Sequence, residues 1–426
     1  MANRAAVFLR PVCISASFHP EVFVIASINE NQKIRTREIV EKPKKKLSGI
    51  DEPFTVLVLL LLLIGLVALY SASYVTALTQ EGDSLAYIKR QGFFAGAGVV
   101  AMFAVAFLLN YHWLHYLAIP MMGLSFALLF SIKIIPGMWV TLNNATRWIN
   151  LGFATFQPSE VTKFAFILFF SSWATIQGPK KMKSIKYGIM PFALCLGATA
   201  LMLMWQPHLS ATVTIAGIGA VIIFLGGIRI FWFFLAGGGA AGFLLWYLTK
   251  YDYAMQRIRV WFDPFIDFRN TGWQGAQSLI TIASGGLWGT GLGQGRQKHL
   301  YLPEPANDFI FSVWCEEMGF VGAVLVLLLF AALILRGYYI ASKAPDKFGT
   351  LLVAGITSHI AIQTIFNIGV VSGLLPVTGA SLPFFSYGGT SLLMLLGEVG
   401  IVLAVSRRIP KEDSEDRKDR KRKLRS

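Results

Sequence analysis

The stretch FTVLVLLLLLIGLVALYSASY, at residues 54–74, decides the fold class of this chain. It has 21 residues and no charged side chain. An α-helix of about 20 apolar residues is long enough to cross the roughly 30 Å hydrocarbon core of a membrane. Similar runs recur along the sequence and are continuous, whereas the strands of a transmembrane β-barrel alternate apolar and polar residues. The sequence therefore predicts an all-α polytopic membrane protein.

The composition agrees with this fold class. Of the 426 residues, 55% are hydrophobic and only 14% are charged, which is too few charged residues to cover a soluble protein of this size. The net charge of +15 does not indicate a nucleic-acid partner, because membrane proteins collect Lys and Arg on their cytoplasmic side. The cysteines fit no disulfide framework and are interpreted as packing residues.

The lengths of the apolar runs predict ten membrane-spanning helices. Their residue ranges are 54–74, 92–109, 117–135, 161–176, 187–204, 211–225, 231–248, 309–335, 351–371 and 391–405. If the amino terminus is cytoplasmic, the basic loops after the fourth, sixth and eighth helices fall on the cytoplasmic side, as the positive-inside rule predicts. The basic carboxy-terminal tail falls there too, so both termini are expected in the cytoplasm.

This topology divides the chain into a basic amino-terminal tail, a transmembrane domain and a basic carboxy-terminal tail, at residues 1–50, 51–408 and 409–426. The first segment is either a cytoplasmic tail or the product of a translation start assigned too far upstream, and the sequence leaves both open. A long extracytoplasmic loop at 249–308 is predicted between helices 7 and 8. No sequence repeat indicates an inverted-repeat transporter.

Polar and charged residues gather in the stretch ASGGLWGTGLGQGRQKHLYLPEPANDFIFSVWCEE, at 283–317. Its glycines fit neither GxGxxG nor GxxxxGK[ST], which argues against a nucleotide-binding loop. Asp308 stands where a helix can begin, so it is either a helix cap or a general base at the membrane boundary. Arg296 and Lys298 either belong to a solvated face or bind an anionic group. Glu316 lies in an apolar run, where a carboxylate is costly unless it faces a cavity or a partner.

A second polar cluster, RWINLGFATFQPSEVTK, lies at 147–163 near the outer end of the fourth predicted helix. Ser159 and Glu160 either start that helix or line a cavity. Lys163 either extends its charged end to the interface or faces the same cavity. The sequence leaves these alternatives open.

A third cluster, NIGVVSGLLPVTGASLPFFSYGGTS, lies at 367–391 and is rich in Pro and Gly, which break regular helix. It also contains Ser386 and Tyr387. Non-helical backbone at membrane depth persists only where it is buried in protein or lines a cavity. We therefore expect a re-entrant element beside the site.

Together the three clusters resemble the SEDS family (shape, elongation, division and sporulation), whose members are multi-spanning peptidoglycan glycosyltransferases. The resemblance covers about residues 53–408, with the clusters in family order. The stretches GRQKHLYLPEPANDFIF and GLLPVTGASLPFFSYGGTSLL are more similar to the division branch, or to its sporulation relative, than to the elongation branch.

The resemblance implies a polymerase in the bacterial cytoplasmic membrane that joins lipid II units on the outer face. The family's essential aspartate falls on Asp308. The acceptor would be the sugar 4-hydroxyl of the incoming lipid II, and a β-1,4 bond would form with release of undecaprenyl pyrophosphate. The resemblance also implies a class B penicillin-binding protein and other division proteins as partners.

The chemistry of such a site needs one base, cationic groups for the departing charge and an apolar path for the lipid. Asp308 is the predicted base. The candidates for charge stabilisation are Arg147, Lys163, Arg296 and Lys298. The other candidate substrate contacts are Gln157, Ser159, Glu160, Glu304, Glu316, Ser386 and Tyr387. No ligand set demands a metal, although a divalent cation is compatible with the chemistry.

One position departs from the family pattern, because His208 stands where many members carry an acidic residue. Two other functions stay open at this point. A lipid II flippase or related transporter would also need about ten helices and polar groups at membrane depth. A scaffold that only positions a cell-wall transpeptidase would need no catalytic aspartate.

Overall fold

The computed structural model describes residues 49–134, 139–142, 145–150, 155–206, 208–250, 252–299 and 301–410. Almost all of the two predicted tails lies outside these residues. Within them the chain forms twelve α-helices: α1 (Glu52–Glu81), α2 (Ala86–Leu108), α3 (Leu114–Ile134), α4 (Pro158–Met182), α5 (Met190–Met204), α6 (Leu209–Gly226), α7 (Phe231–Lys250), α8 (Asp252–Phe262), α9 (Trp273–Ser284), α10 (Ile310–Lys343), α11 (Lys347–Val371) and α12 (Gly389–Ser406).

Each of the ten predicted membrane segments falls on a helix, so the all-α polytopic class is confirmed. Among the described residues, eight helices are long and apolar enough to cross a membrane. Segments 161–176 and 231–248, on α4 and α7, are not among those eight. Ten spans therefore remain a prediction. The predicted loop at 249–308 contains the two short helices α8 and α9.

A small antiparallel sheet precedes α4, a feature that the sequence analysis did not predict. Its strands are β1 (Trp139–Leu142), β2 (Ala145–Asn150) and β3 (Thr155–Phe156), in the order β1-β2-β3. Trp139 pairs with Ile149, and Asn150 pairs with Thr155. Aromatic and β-branched residues favour this conformation. The sheet leads directly into the amino terminus of α4.

Helix α11 lies at the centre of the bundle, and most of its side chains are buried. It packs against α4, α6 and α10, while α2 packs along α12 and α1 packs against both α2 and α10. At one end of the bundle, the guanidinium of Arg336 donates two hydrogen bonds to the Asp51 carboxylate, at 2.9 and 2.8 Å. Asp51 also caps α1 by accepting a hydrogen bond from the Phe54 amide at 3.0 Å. The amino terminus of α1 is thereby joined to α10.

Helix α10 has a break at Gly319, whose φ of 64° is accessible to glycine at little cost. The loop after α9 pairs with the break through backbone hydrogen bonds. The amide of Gly291 donates to the Glu317 carbonyl at 3.0 Å, and the amide of Phe320 donates to the Gly286 carbonyl at 2.9 Å. The break therefore positions the polar stretch that contains Asp308.

The segment between α11 and α12 is non-helical and packs deep against α1. A Cβ atom added at Gly65, near the middle of α1, would overlap the backbone carbonyl of Phe384. Leu382, Phe384 and Phe385 are buried. Non-helical backbone is therefore enclosed by protein here, as expected for a re-entrant element.

Candidate functional site

A cavity of about 750 Å³ lies where the amino-terminal ends of α4, α6, α10 and α12 meet. The end of α1, the start of α2 and the middle of α11 also contribute to its wall. Nine of the twelve site residues predicted from the sequence line it: Arg147, Gln157, Ser159, Glu160, Lys163, Glu304, Asp308, Ser386 and Tyr387. The structure thus brings together residues from all three polar clusters of the sequence.

Asp308 is held by contacts to the segment before α12. The side-chain amide of Asn367, on α11, donates to the Asp308 carbonyl at 2.7 Å and to the Ala380 carbonyl at 2.6 Å. A Cβ atom at Gly379 would lie 3.1 Å from the carboxylate oxygen Oδ2 of Asp308. A side chain at position 379 would therefore crowd the carboxylate. Helix α10 has Phe309 at its N-cap position, so Asp308 does not occupy the cap.

The electrostatic surroundings of Asp308 favour proton uptake. Burial raises the pKa of its carboxyl from 3.8 to about 6, the negative charge of Glu304 adds to this rise, and Arg147 opposes it. Because a pKa of about 6 is still below neutral pH, the carboxyl group is mostly ionised there. It is also a stronger base than an ordinary aspartate.

The loop before α10 and the segment before α12 form one wall of the cavity. The Ser386 hydroxyl donates to the Asn307 carbonyl at 2.7 Å, and the Tyr387 amide donates to the Ala306 carbonyl at 2.9 Å. Glu304 accepts a hydrogen bond from the side-chain amide of Asn307 at 2.6 Å. Ser386 and Glu304 therefore fix the shape of this wall as well as lining it.

Arg147 reaches the cavity from strand β2. Its Nε atom donates to the carbonyl of Gln206 at 3.0 Å. The side-chain amide of Gln206 in turn donates to the carbonyl of Leu129 on α3 at 3.1 Å. The guanidinium is thus oriented by the loop before α6, close enough for its charge to act on Asp308.

Lys163 and Glu160 form a buried ion pair at 2.8 Å, one turn apart on α4. The lysine is 3% exposed, so it does not extend to the membrane interface. Gln157 occupies the N-cap position of α4, and Ser159 and Glu160 lie in its first turn. The first turn of α4 therefore both starts a helix and lines the cavity.

The other three predicted site residues do not line this cavity. Lys298 is fully buried and is bonded to Glu317 at 2.6 Å and to Ser71 at 2.9 Å. Glu316 is buried and accepts a hydrogen bond from the backbone amide of Arg296 at 2.8 Å. The side chain of Arg296 is exposed. These residues hold the polar stretch on α1 and α10, because a carboxylate in an apolar helix needs such partners.

Comparison with known proteins shows the family of this chain. The model of the FtsW/RodA/SpoVE family, described as cell cycle protein, matches residues 52–410. The chain belongs to this family.

Its relatives include stage V sporulation protein E of Bacillus subtilis, which is 42% identical over 84% of this chain and 97% of that protein. They also include a probable peptidoglycan glycosyltransferase FtsW of Geobacter sulfurreducens, which is 37% identical over 86% of this chain and 97% of that protein.

Solved structures share the fold. A chain of a peptidoglycan synthase complex described as coordinating polymerization and crosslinking is 29% identical, with a TM-score of 0.70 over 85% of this chain and 99% of that one. The rod shape determining protein RodA of Thermus thermophilus is 27% identical, with a TM-score of 0.61 over 85% and 98% of the two chains.

Several cavity residues of this family member were missed by the sequence reasoning. They are Thr76, Gln80, Tyr87, Arg90, Ser210, His359 and Gln363. One signal was available for the last two, because a histidine and a glutamine four residues apart share one face of a helix and are costly in an apolar segment. Among the described residues, no group of three or more His, Cys, Asp or Glu side chains is arranged to hold a metal ion.

Proposed function

We propose that this protein is a peptidoglycan glycosyltransferase that polymerises lipid II into β-1,4-linked glycan strands during cell division. The relatives named as glycosyltransferases and the synthase complex of the same fold support this activity. The observation that carries the proposal is the position of Asp308 in the cavity wall, with its pKa raised to about 6. A carboxylate with this pKa is a base suited to neutral pH.

In the proposed reaction, Asp308 accepts the proton of the sugar 4-hydroxyl on the incoming lipid II as that oxygen attacks the anomeric carbon of the growing chain. The bond from this carbon to the pyrophosphate oxygen breaks, and the electron pair leaves with undecaprenyl pyrophosphate. Pyrophosphate is a good leaving group, so the enzyme mainly has to position the two substrates and stabilise the departing charge.

Arg147 and Lys163 are the cations that we assign to the departing pyrophosphate. Both line the cavity together with Asp308. Arginine and lysine bind phosphate oxygens through charge-assisted hydrogen bonds. Arg296 and Lys298 receive no such role here, because neither lines the cavity. A divalent cation would supply further charge stabilisation.

We place the reaction on the outer face of the cytoplasmic membrane, with both termini in the cytoplasm. The positive-inside distribution of Lys and Arg supports this orientation. The cavity lies towards the end of the helix bundle that is opposite to the Asp51–Arg336 pair. The partners that we propose are a class B penicillin-binding protein and other division proteins, and a structural relative within a peptidoglycan synthase complex supports such an assembly.

The test is polymerisation of labelled lipid II by the purified protein, with and without its transpeptidase partner, beside the variants Asp308→Asn and Asp308→Ala. We expect glycan chains from the wild type and none from either folded variant. Full polymerisation by folded Asp308→Ala would refute the catalytic role of Asp308. Movement of lipid II across vesicles without polymer would favour a transporter, and normal growth on an Asp308 variant alone would favour a scaffold.

A further inference from the structure

A histidine and a glutamate form a hydrogen-bonded pair at the middle of two helices. His359 is the thirteenth of the 25 residues of α11, and Glu398 is the tenth of the 18 residues of α12. The carboxylate of Glu398 accepts a hydrogen bond from Nδ1 of His359 at 2.8 Å. The two residues are 2% and 3% exposed. Ionisable groups at this depth are costly, and they usually mark a functional site.

His359 lines the cavity, and one of its ring nitrogens is engaged by Glu398. Its other ring nitrogen, Nε2, is buried and has no hydrogen-bond partner among the residues that the structure describes. Ser159 and His208 line the same cavity, and their atoms Oγ and Nδ1 are likewise buried and without partners within those described ranges. Buried polar atoms normally have a partner. Three such atoms around one cavity therefore point to a ligand that supplies their hydrogen bonds.

The charges around these atoms show which kind of ligand fits. Glu160 interacts electrostatically with Lys163 and with His359, and its carboxylate lies 2.8 Å from Nζ of Lys163. Glu398 supplies a second carboxylate behind the histidine. The negative charges of these two carboxylates disfavour an anionic group at the His359 ring. A hydroxyl or an amide, which both donates and accepts hydrogen bonds without a charge, matches the hydroxyl and imidazole atoms present.

We propose that His359, Ser159 and His208 form an inner subsite that binds the hydroxyl and acetamido groups of a sugar of the lipid-linked substrate. This assignment rests on the proposed function and deepens it. Glu398 is a positioning residue. By accepting from Nδ1 it fixes the orientation and tautomer of the imidazole, so that Nε2 is presented to the sugar.

The test measures binding without turnover, in the Asp308→Asn background. The two probes are lipid II, which carries the sugars, and undecaprenyl pyrophosphate, which does not. We expect His359→Gln and Ser159→Ala each to weaken lipid II binding by about tenfold or more, as for a lost hydrogen bond in a buried site, and to change the Kd of undecaprenyl pyrophosphate less than twofold. Equal weakening of both probes, or no change in either, would overturn the proposal.

Thr357→Val is the matched control, because Thr357 is buried on α11 and does not line the cavity. It should leave both Kd values unchanged. If His359→Gln fails to fold, Ser159→Ala decides the question alone.

In the chain that retains Asp308, Glu398→Leu should raise KM for lipid II about tenfold with little change in kcat. Glu398→Gln, whose side-chain carbonyl still accepts a hydrogen bond from Nδ1 of His359, should have a KM much closer to the wild-type value. Equal loss of kcat in both Glu398 variants would contradict the positioning role.

Failure of this proposal can be distinguished from failure of the proposed function. If the wild type makes no glycan but the His359→Gln and Ser159→Ala variants selectively lose lipid II binding, the sugar subsite is supported and the polymerase function is refuted. If the wild type polymerises lipid II but the His359→Gln and Ser159→Ala variants bind lipid II as the wild type does, the polymerase function is supported and the sugar subsite is refuted.

Discussion

Two buried lysine–glutamate pairs in this molecule have similar geometry and different surroundings. Lys298 and Glu317 are joined at 2.6 Å, and Lys163 and Glu160 at 2.8 Å. Both lysines are almost completely buried, at 0% and 3% exposure. The first pair lies between the polar stretch and α1, whereas the second lines the cavity. The difference shows that burial of an ion pair does not by itself indicate a functional site.

The surroundings of each pair separate the two roles. Lys298 also bonds Ser71 at 2.9 Å and lies 5.1 Å from the ring centroid of Tyr74, and the Ser71 hydroxyl donates to Glu317 at 2.6 Å. All of these partners are protein groups, so the pair closes on itself. Lys163 instead borders a cavity that a substrate can enter. We therefore expect the Lys298–Glu317 pair to matter for stability and the Lys163–Glu160 pair to matter for activity.

The largest expected effect is on stability, from Lys298→Met. Removing the lysine leaves Glu317 buried without its cation, and losing one partner of a buried pair costs about 3 to 5 kcal/mol. We expect a large fall in the thermal unfolding midpoint in detergent. The double variant Lys298→Met with Glu317→Leu should recover much of the loss, because it removes both charges. An unfolding midpoint equal to that of the wild type in Lys298→Met would contradict the structural role.

The next effect is on activity, from Lys163→Met. The stability loss should be smaller, because Glu160 borders the cavity and water there can solvate it. Polymerisation should fall by about 100-fold or more, the range seen when one group that stabilises developing charge is removed. Initial rates of glycan formation check this, with the unfolding midpoint of the same sample as control. A folded variant that keeps its rate would remove Lys163 from the proposed mechanism.

The smallest effect is expected from Arg296→Gln. The side chain is exposed and does not line the cavity, and the contact of this residue with Glu316 comes from its backbone amide. Glutamine retains that backbone amide. The polymerisation rate should therefore stay within about twofold of the wild-type rate, and the unfolding midpoint within about 2 °C of the wild-type value. A tenfold loss of rate would return Arg296 to the list of phosphate contacts.

The fold class and the positions of the apolar helices could be predicted from the sequence, because long apolar runs have few alternatives in a folded chain. The convergence of the three polar clusters at one cavity is consistent with their shared position at the ends of predicted helices. The strands β1 to β3 were missed, since a short hairpin between membrane helices has a weak sequence pattern.

The roles of individual charged residues could not be read from the sequence. Lys298 and Lys163 both belong to polar stretches that run into an apolar helix, and only the three-dimensional contacts separate them. Lys298 bonds Ser71, which is 227 residues away in the chain. The hydrogen bond between His359 and Glu398 likewise depends on how α11 packs against α12. Such long-range pairings have no local signal.

The most direct test of the central claim, that the ionised carboxylate of Asp308 is the base, is the pH dependence of kcat/KM for lipid II polymerisation. Because the pKa of Asp308 is raised to about 6 and the charged form is the one that accepts the proton, the rate should fall as the pH decreases through about 6. Asp308→Asn should be inactive across the whole range. A wild-type rate that stays constant from about pH 5 to pH 8, or an Asp308→Asn variant with the same acid limb as the wild type, would contradict the account.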